Sequence, residues 1–421
     1  MGRSMSARLQ RLRALAPWLV LALVACWFLG QAHVRVAGEL RRMLDESWAG
    51  GPVNAALVDP VSEKLTFAAA RRFHARGLAE KSYLPCYEGY VSESPISASL
   101  EGDCVYTHFL PGPEYVLAAL FAVFGDSDEA LMRMRLLPLL LVLASALALA
   151  LAVRRYALGG WDWGAPLLLG GLLVTPALSF WSLSLYGHGY SNACILAALA
   201  LGLVASDPRA AGRGRWVVLS TAFLLGWLSN LFLIEAAFVV CAAPVVGHLL
   251  VREPHSRRLA LQLSAAVAAG LCLVWLVHLA QVAHHLGSLS LALEDQLGTA
   301  LLRTETRAES GRAGMLCALS AAGGPMFGVG ALSMLASGLF AAWLQRSRGP
   351  GRRLAKALLL AAAAAIVFPM LFGHHAVLHL DRLPRIFLGL FAAWGIVLLS
   401  LAEERLRAGP HIAGEAAADE P

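Results

Sequence analysis

Charge is scarce in this chain. Only 15% of its 421 residues are charged, 58% are hydrophobic, and the mean hydropathy is +0.63. That composition excludes an ordinary water-soluble globular domain. The signatures of soluble enzymes are missing too. There is no Walker phosphate loop, no GxSxG elbow and no HExxH zinc motif, and the GxG pairs have no strand before them. Cysteine is sparse, seven in all, without CxxC or paired-histidine spacing, so no metal and no cofactor is expected. The inverted internal repeat of many secondary transporters is also lacking.

What the sequence has is apolar runs of spanning length, which need roughly 20 residues each. Candidate spans lie near 14–34, 136–153, 163–182, 191–206, 216–230, 233–251, 259–279, 318–344, 354–372 and 385–402, with a hairpin tip near Ser229-Asn230. The expectation is an all-α polytopic membrane protein of about ten transmembrane helices. Residues 1–34 form the cytoplasmic N-terminus and an uncleaved first span, 35–135 a large first extracytoplasmic loop, 136–402 the bundle, and 403–421 a disordered cytoplasmic tail.

Charge sets the orientation. With the N-terminus inside, the short inner segments carry nineteen basic residues and the short outer loops five (Arg303, Arg307, Arg312, Arg382, Arg385). Both termini are therefore expected in the cytoplasm. The same bias accounts for the net charge of +6, so nucleic acid is not an expected partner.

The long loop carries most of the readable detail. Asp59-Pro60 reads as a helix start, with Asp as cap and Pro at the first helical position, and the helix runs to about Gly77. Cys86 and Cys104 alone among the cysteines fall in a polar loop on the oxidising side, which predicts a disulfide. From Tyr106 the chain reads YTHFLPGPEYVLAALFAVFG. Its apolar stretch is too short to span, so it is expected as an interfacial helix lying over the mouth of the bundle, turning at Gly125-Asp126. By this topology ten of the thirteen histidines face outward, among them His188, His278, His284, His285, His374, His375 and His379. Polar groups gathered at one face near membrane depth are candidates for function.

The segment Glu63 to Gly77, then His108, Pro111, Pro113, Phe124-Gly125, Arg135-Leu136 and the Arg154-Arg155 pair, come in the order found in membrane glycosyltransferases of the GT-C fold. The likeness is to the bacterial, protein O-mannosyltransferase-like branch. His379 to Pro384 is similar to that group's basic outer segment before its last span. The resemblance covers about the first 210 residues. It departs from the pattern in lacking the Asp-Glu pair, since Asp59 is followed by Pro and Glu63 by Lys, and in splitting the lid prolines with Gly112.

The resemblance implies a GT-C-like bundle in the bacterial inner membrane. Its donor would be a polyprenyl-phosphate-linked sugar and its acceptor a glycan, lipid or protein on the extracytoplasmic side. A carboxylate must take the acceptor proton, Asp59 or Glu63, with Asp59 favoured because it precedes the helix. Cations must steady the departing phosphate: Arg135, Arg382 and Arg385, with His108, His188, His374, His375 and His379 around the substrate. The competing readings are a lipid or solute transporter, and a non-catalytic carrier-binding subunit that keeps the fold.

Overall fold

The computed structural model describes residues 15–31, 34, 60–87, 96, 104–107, 110–125, 127, 130, 133–254, 257–304, 311–346, 349–380 and 383–408. Asp59, His108, Arg382 and the acidic tail beyond residue 408 lie outside the described residues. Within them the protein is all-α, 84% helical and without strands; the one sheet-like feature is an antiparallel bridge between Cys86 and Val105.

Helix α1 spans Leu15–Gln31, and α2 (Pro60–Arg76) and α3 (Gly112–Phe124) form in the long polar segment. The bundle follows as α4 (Leu136–Ala157), α5 (Gly164–Leu173), α6 (Pro176–Leu183), α7 (His188–Val204), α8 (Arg215–Phe232), α9 (Ile234–Leu250) and α10 (Arg257–Leu286). It closes with α11 (Leu289–Thr304), α12 (Gly311–Phe327), α13 (Ala331–Leu344), α14 (Gly351–Leu371), the short α15 (Gly373–Leu378) and α16 (Leu383–Arg407). Among the described residues five helices are long and apolar enough to cross a membrane: α4, α8, α10, α14 and α16. The number rises to seven if the bent pairs α5–α6 and α12–α13 each count as one span.

Those bends correct two expected continuous spans. Residues 163–182 break between α5 and α6 by 69°, and 318–344 between α12 and α13 by 81°. The first break falls at Thr175-Pro176. Thr175 is extended, as a residue before proline prefers, and the proline opens the next helix instead of continuing the last. The second follows Pro325 and passes through Gly328, whose φ of +75° no β-carbon tolerates comfortably. A third finding concerns residues 216–251, readable as a hairpin with its tip near Ser229-Asn230 or as a differently placed pair, and it favours the second. Ser229 and Asn230 stay inside α8, where the Asn230 amide donates to the Leu271 carbonyl, and the break comes at extended Leu233.

Helix α7 is apolar all round and buried along most of its length, which places it in the centre, packed by α4, α8 and α9. Glycines let the helices approach. A β-carbon at Gly226 would strike the Val267 carbonyl across the α8–α10 crossing, and one at Gly270 would strike that of Phe223. Small residues at such crossings let backbones pack where lipid offers no hydrophobic drive between helices.

Helices α2 and α3 pair through Phe67, Phe73, Leu117 and Phe121, joined by Met134 and Leu185 from the bundle. Gly112 explains why the lid prolines are separated: a side chain there would run into the Leu231 backbone at the end of α8. Gly125, at φ +78°, ends α3 where the sequence turns. The segment between α2 and α3 is closed by a disulfide joining Cys86 to Cys104, with Cα atoms 4.8 Å apart. Arg72 of α2 lies over it, its Nη1 2.9 Å from the Cys86 sulfur. Leu84 and Val105 beside the bridge pack on Leu279 and Val282 of α10 and Ala292 of α11. Replacing both cysteines by Ser should cost about 3 kcal/mol by freeing an 18-residue loop in the unfolded chain. Thermal unfolding with and without reductant checks this: wild type plus reductant should melt like the double variant.

The two ends of the bundle differ chemically. At one, Arg252 and Arg407 both reach Glu403, Arg155 pairs with Asp207, and Arg353 donates to the Val251 and Arg252 carbonyls. The other end carries the α2–α3 cap and the buried ion pairs described next.

Candidate functional site

Two carboxylate–arginine pairs lie buried at the capped end. The first joins α2 to the start of α4. Arg135 Nη1 and Nη2 donate to the two oxygens of Glu63, at 3.0 and 2.8 Å. Nη1 also donates to the Leu183 carbonyl at 2.8 Å, and the Leu185 backbone N–H donates to Glu63 Oε1 at 2.9 Å. Glu63 is 0% exposed and Arg135 2%. The pairing is bidentate, the arrangement in which a guanidinium holds a carboxylate most firmly, while Arg135 Nε has no hydrogen-bond partner among the described residues. Each partner thus uses up the charge that the sequence assigned separately to base and phosphate ligand.

The second pair sits where α8 gives way to α9. Extended Leu233 interrupts the helix and turns Glu235 inward. Arg385 Nη2 donates to Glu235 Oε2 at 2.5 Å, and His375 Nε2 lies 2.7 Å from Oε1. Taken as a carboxylate, Glu235 can only accept, which puts the proton at this contact on His375 Nε2. His379 packs against the His375 ring, with centroids 4.3 Å apart, and Phe368 meets the same ring edge-on. The four polar groups come from helix ends and a short helix: Glu235 from the first turn of α9, His375 from the short α15 and His379 just after it, and Arg385 from the first turn of α16.

An apolar cavity of about 260 Å³ adjoins this cluster. Ile234, next to Glu235, forms one wall. Phe368 and Phe372, the latter capping α15 ahead of His375, form another, and Trp275, Leu293 and Leu297 complete it. Arg303 and Gln296 are its polar lining, with Thr299. Gln296 also donates to the Thr107 carbonyl at 2.7 Å, and the Thr107 hydroxyl donates to buried Asp295, which ties the cap to α11.

The irregular stretch 181–187 connects the two pairs. Leu183 and Leu185 hold the first, while Gly187 packs directly on the Phe232 backbone, one residue before the break that frees Glu235. His188 lies here, buried between Trp181 and Tyr186 (4.9 and 5.4 Å). His374, half-buried, precedes His375 on α15. The structure thus gathers His375, His379 and Arg385, joins Glu63 to Arg135, and sets His188 on the connecting stretch.

Two residues escaped the sequence reading. Glu235 is a lone acid in an apolar run, which is itself a signal, but the sequence does not disclose its partners 140 and 150 positions away. Glu114, in the first turn of α3, is 1% exposed and accepts from the Tyr87 hydroxyl (2.7 Å) and the Thr66 hydroxyl (3.1 Å). Burial pushes its pKa up to about 7 against the lowering effect of those two donors.

Among the described residues no group of three or more His, Cys, Asp or Glu side chains is placed to hold a metal ion. Comparison with protein-family models, with curated proteins and with solved structures gives no match.

Proposed function

We propose that the protein is a GT-C-like membrane glycosyltransferase that moves a sugar from a polyprenyl-phosphate carrier to an acceptor on the outer side of the bacterial inner membrane. The observation that carries this reading is the apolar cavity beside the Glu235–His375–Arg385 cluster, with Arg303 in its wall. A prenyl chain needs an apolar groove, and its phosphate needs cations at the end of that groove. The α2–α3 cap lies over the same end of the bundle, where a lid would shield a glycosyl donor from water.

The span count fits the expected ten if the two bent pairs and the shorter apolar helices α1, α7 and α9 each cross the membrane. With the arginine-rich end in the cytoplasm, both termini lie inside and the cap outside.

The test is turnover of the carrier. The purified protein in lipid nanodiscs is incubated with a bacterial envelope extract as the source of acceptor hydroxyls and with radiolabelled polyprenyl-phosphate mannose or, separately, the glucose form. Release of free polyprenyl phosphate is the expected result, and absence of release from either sinks the transferase reading. A second reading is favoured by the locked Glu63–Arg135 pair: a non-catalytic subunit that binds the carrier. It predicts saturable binding of the labelled lipid without release.

A further inference from the structure

We propose that the arginine-rich end of the bundle holds a site for a phosphate ester that carries an ammonium group, the chemistry of phosphoethanolamine. The site lies at the opposite end from the Glu235 cluster and does not depend on the transferase reading.

A cavity of about 320 Å³ lies where five helices end. Ala157 closes α4, Leu249 and Leu250 close α9, and Gln345 follows the last residue of α13. Pro350, Arg353 and Leu354 bring the start of α14, and Ser400, Glu403 and Glu404 the last turns of α16. The ends of spanning helices mark the depth of lipid headgroups, since the apolar lengths between them fill the hydrocarbon. Basic pockets between such ends are where phosphate-bearing headgroups dock.

The observation that points to a ligand is Gln345. It is 2% exposed, and neither its Nε2 nor its Oε1 has a hydrogen-bonding partner among the described residues. A buried donor and a buried acceptor left unmade are both costly. Because both atoms are unpaired, flipping the amide changes nothing. A ligand that satisfies this side chain must therefore offer an acceptor and a donor together. A phosphodiester alone satisfies the nitrogen only, and a quaternary ammonium has no N–H for the oxygen.

The charges around Gln345 are of mixed sign. Arg353 donates Nη1 and Nη2 to the Val251 and Arg252 carbonyls, at 3.2 and 2.8 Å, so neither bond neutralises its charge. It belongs to the first turn of α14, whose cap residue Pro350 makes no side-chain hydrogen bond, and the positive end of that helix adds to the same wall. Gly351 lets this turn close on α13: a β-carbon there would strike the Ala342 carbonyl and come 3.0 Å from the Gln345 carbonyl carbon. Glu403 is already held by Arg252 at 3.3 Å and by Arg407 at 2.5 Å. Glu253 and Glu404 are the other acids of the lining. Arg353, the α14 terminus and Gln345 Nε2 suit phosphate oxygens. Glu253, Glu404 and Gln345 Oε1 suit an ammonium group, which a plain anion lacks.

The full-length protein is placed in nanodiscs of equal parts phosphatidylethanolamine, phosphatidylcholine and phosphatidylglycerol, and native mass spectrometry counts the lipids that stay bound on release. The ethanolamine lipid should be retained roughly ten-fold over each of the others. Gln345→Leu should abolish that preference and melt no lower than wild type in lipid-poor detergent, because the amide it replaces is unpaired there. Glu404→Gln should weaken the preference over phosphatidylglycerol. Soluble O-phosphoethanolamine separates the two sources of this chemistry. A rise in melting temperature that Gln345→Leu loses, without retention of the lipid form, assigns the site to a soluble ligand; retention without such a rise assigns it to the headgroup. Equal retention of the three lipids with no response to the soluble form overturns the proposal. So does a preference for phosphatidylglycerol, which marks a plain anion site, and so does a preference that survives in Gln345→Leu. A leucine variant that fails to fold overturns it as well, since the amide would then be held by the protein itself.

Discussion

Glu63→Gln is expected to destabilise the protein by about 3–5 kcal/mol, because it leaves the Arg135 guanidinium buried without its counter-charge. The geometry sets the size of the effect. Arg135 is 2% exposed and is held by both Glu63 oxygens, and the Leu185 N–H depends on the same carboxylate. A neutral amide can keep an acceptor for one of these donors and meets the other Arg135 nitrogen with a donor of its own. Thermal unfolding in nanodiscs measures the loss. The double variant Glu63→Met/Arg135→Met should recover much of it, since apolar side chains of similar volume remove the unpaired charge. The opposite outcome would also inform: unchanged melting with carrier release abolished would point to Glu63 as the base.

How far the sequence could be read depended on the range of the forces involved. Local rules sufficed for the start of α2 at Pro60, for the Pro-Gly-Pro start and Gly125 end of α3, and for the all-α class that long apolar runs impose. Hydropathy averages over a window, and so it passed through Pro176 and Gly328 and reported two continuous spans where the backbone bends by 69° and 81°. The pairings lay beyond any local rule. Glu63 meets Arg135 72 residues on, and Glu235 meets Arg385 150 residues on. Charge counting placed Arg385 among the outer cations and the resemblance gave Arg135 a like role, but only the packing reveals that each already holds a carboxylate. Glu235 was legible as an acid in an apolar stretch and illegible as the centre of a cluster.

Glu114 should make stability depend on pH, with a sign opposite to that of an ordinary salt-bridged carboxylate. It lies in α3, outside the membrane-spanning helices, under the cap formed with α2 and the disulfide-closed segment. Burial raises its pKa from the usual 4.5 to about 7, while hydrogen bonds from Tyr87 and Thr66 lower it only in part. Below pH 4.5 the folded and unfolded chains both carry the proton. Between 4.5 and about 7 the folded chain keeps a proton that the unfolded chain has lost, so stability falls as pH rises across that window and levels off above it. The gap corresponds to about 3–4 kcal/mol at the full span. Glu114→Gln keeps an oxygen for Tyr87 and Thr66 and cannot ionise, so it should melt higher than wild type at pH 8 and lose this part of the slope. Any other group that titrates in the same range contributes equally in both proteins. The difference between the two melting curves from pH 4.5 to 8 therefore isolates Glu114. Parallel curves would mean that the carboxyl ionises in the folded protein as easily as in the unfolded chain. That would require water or a cation to reach Oε2, the oxygen that has no hydrogen-bonding partner among the described residues.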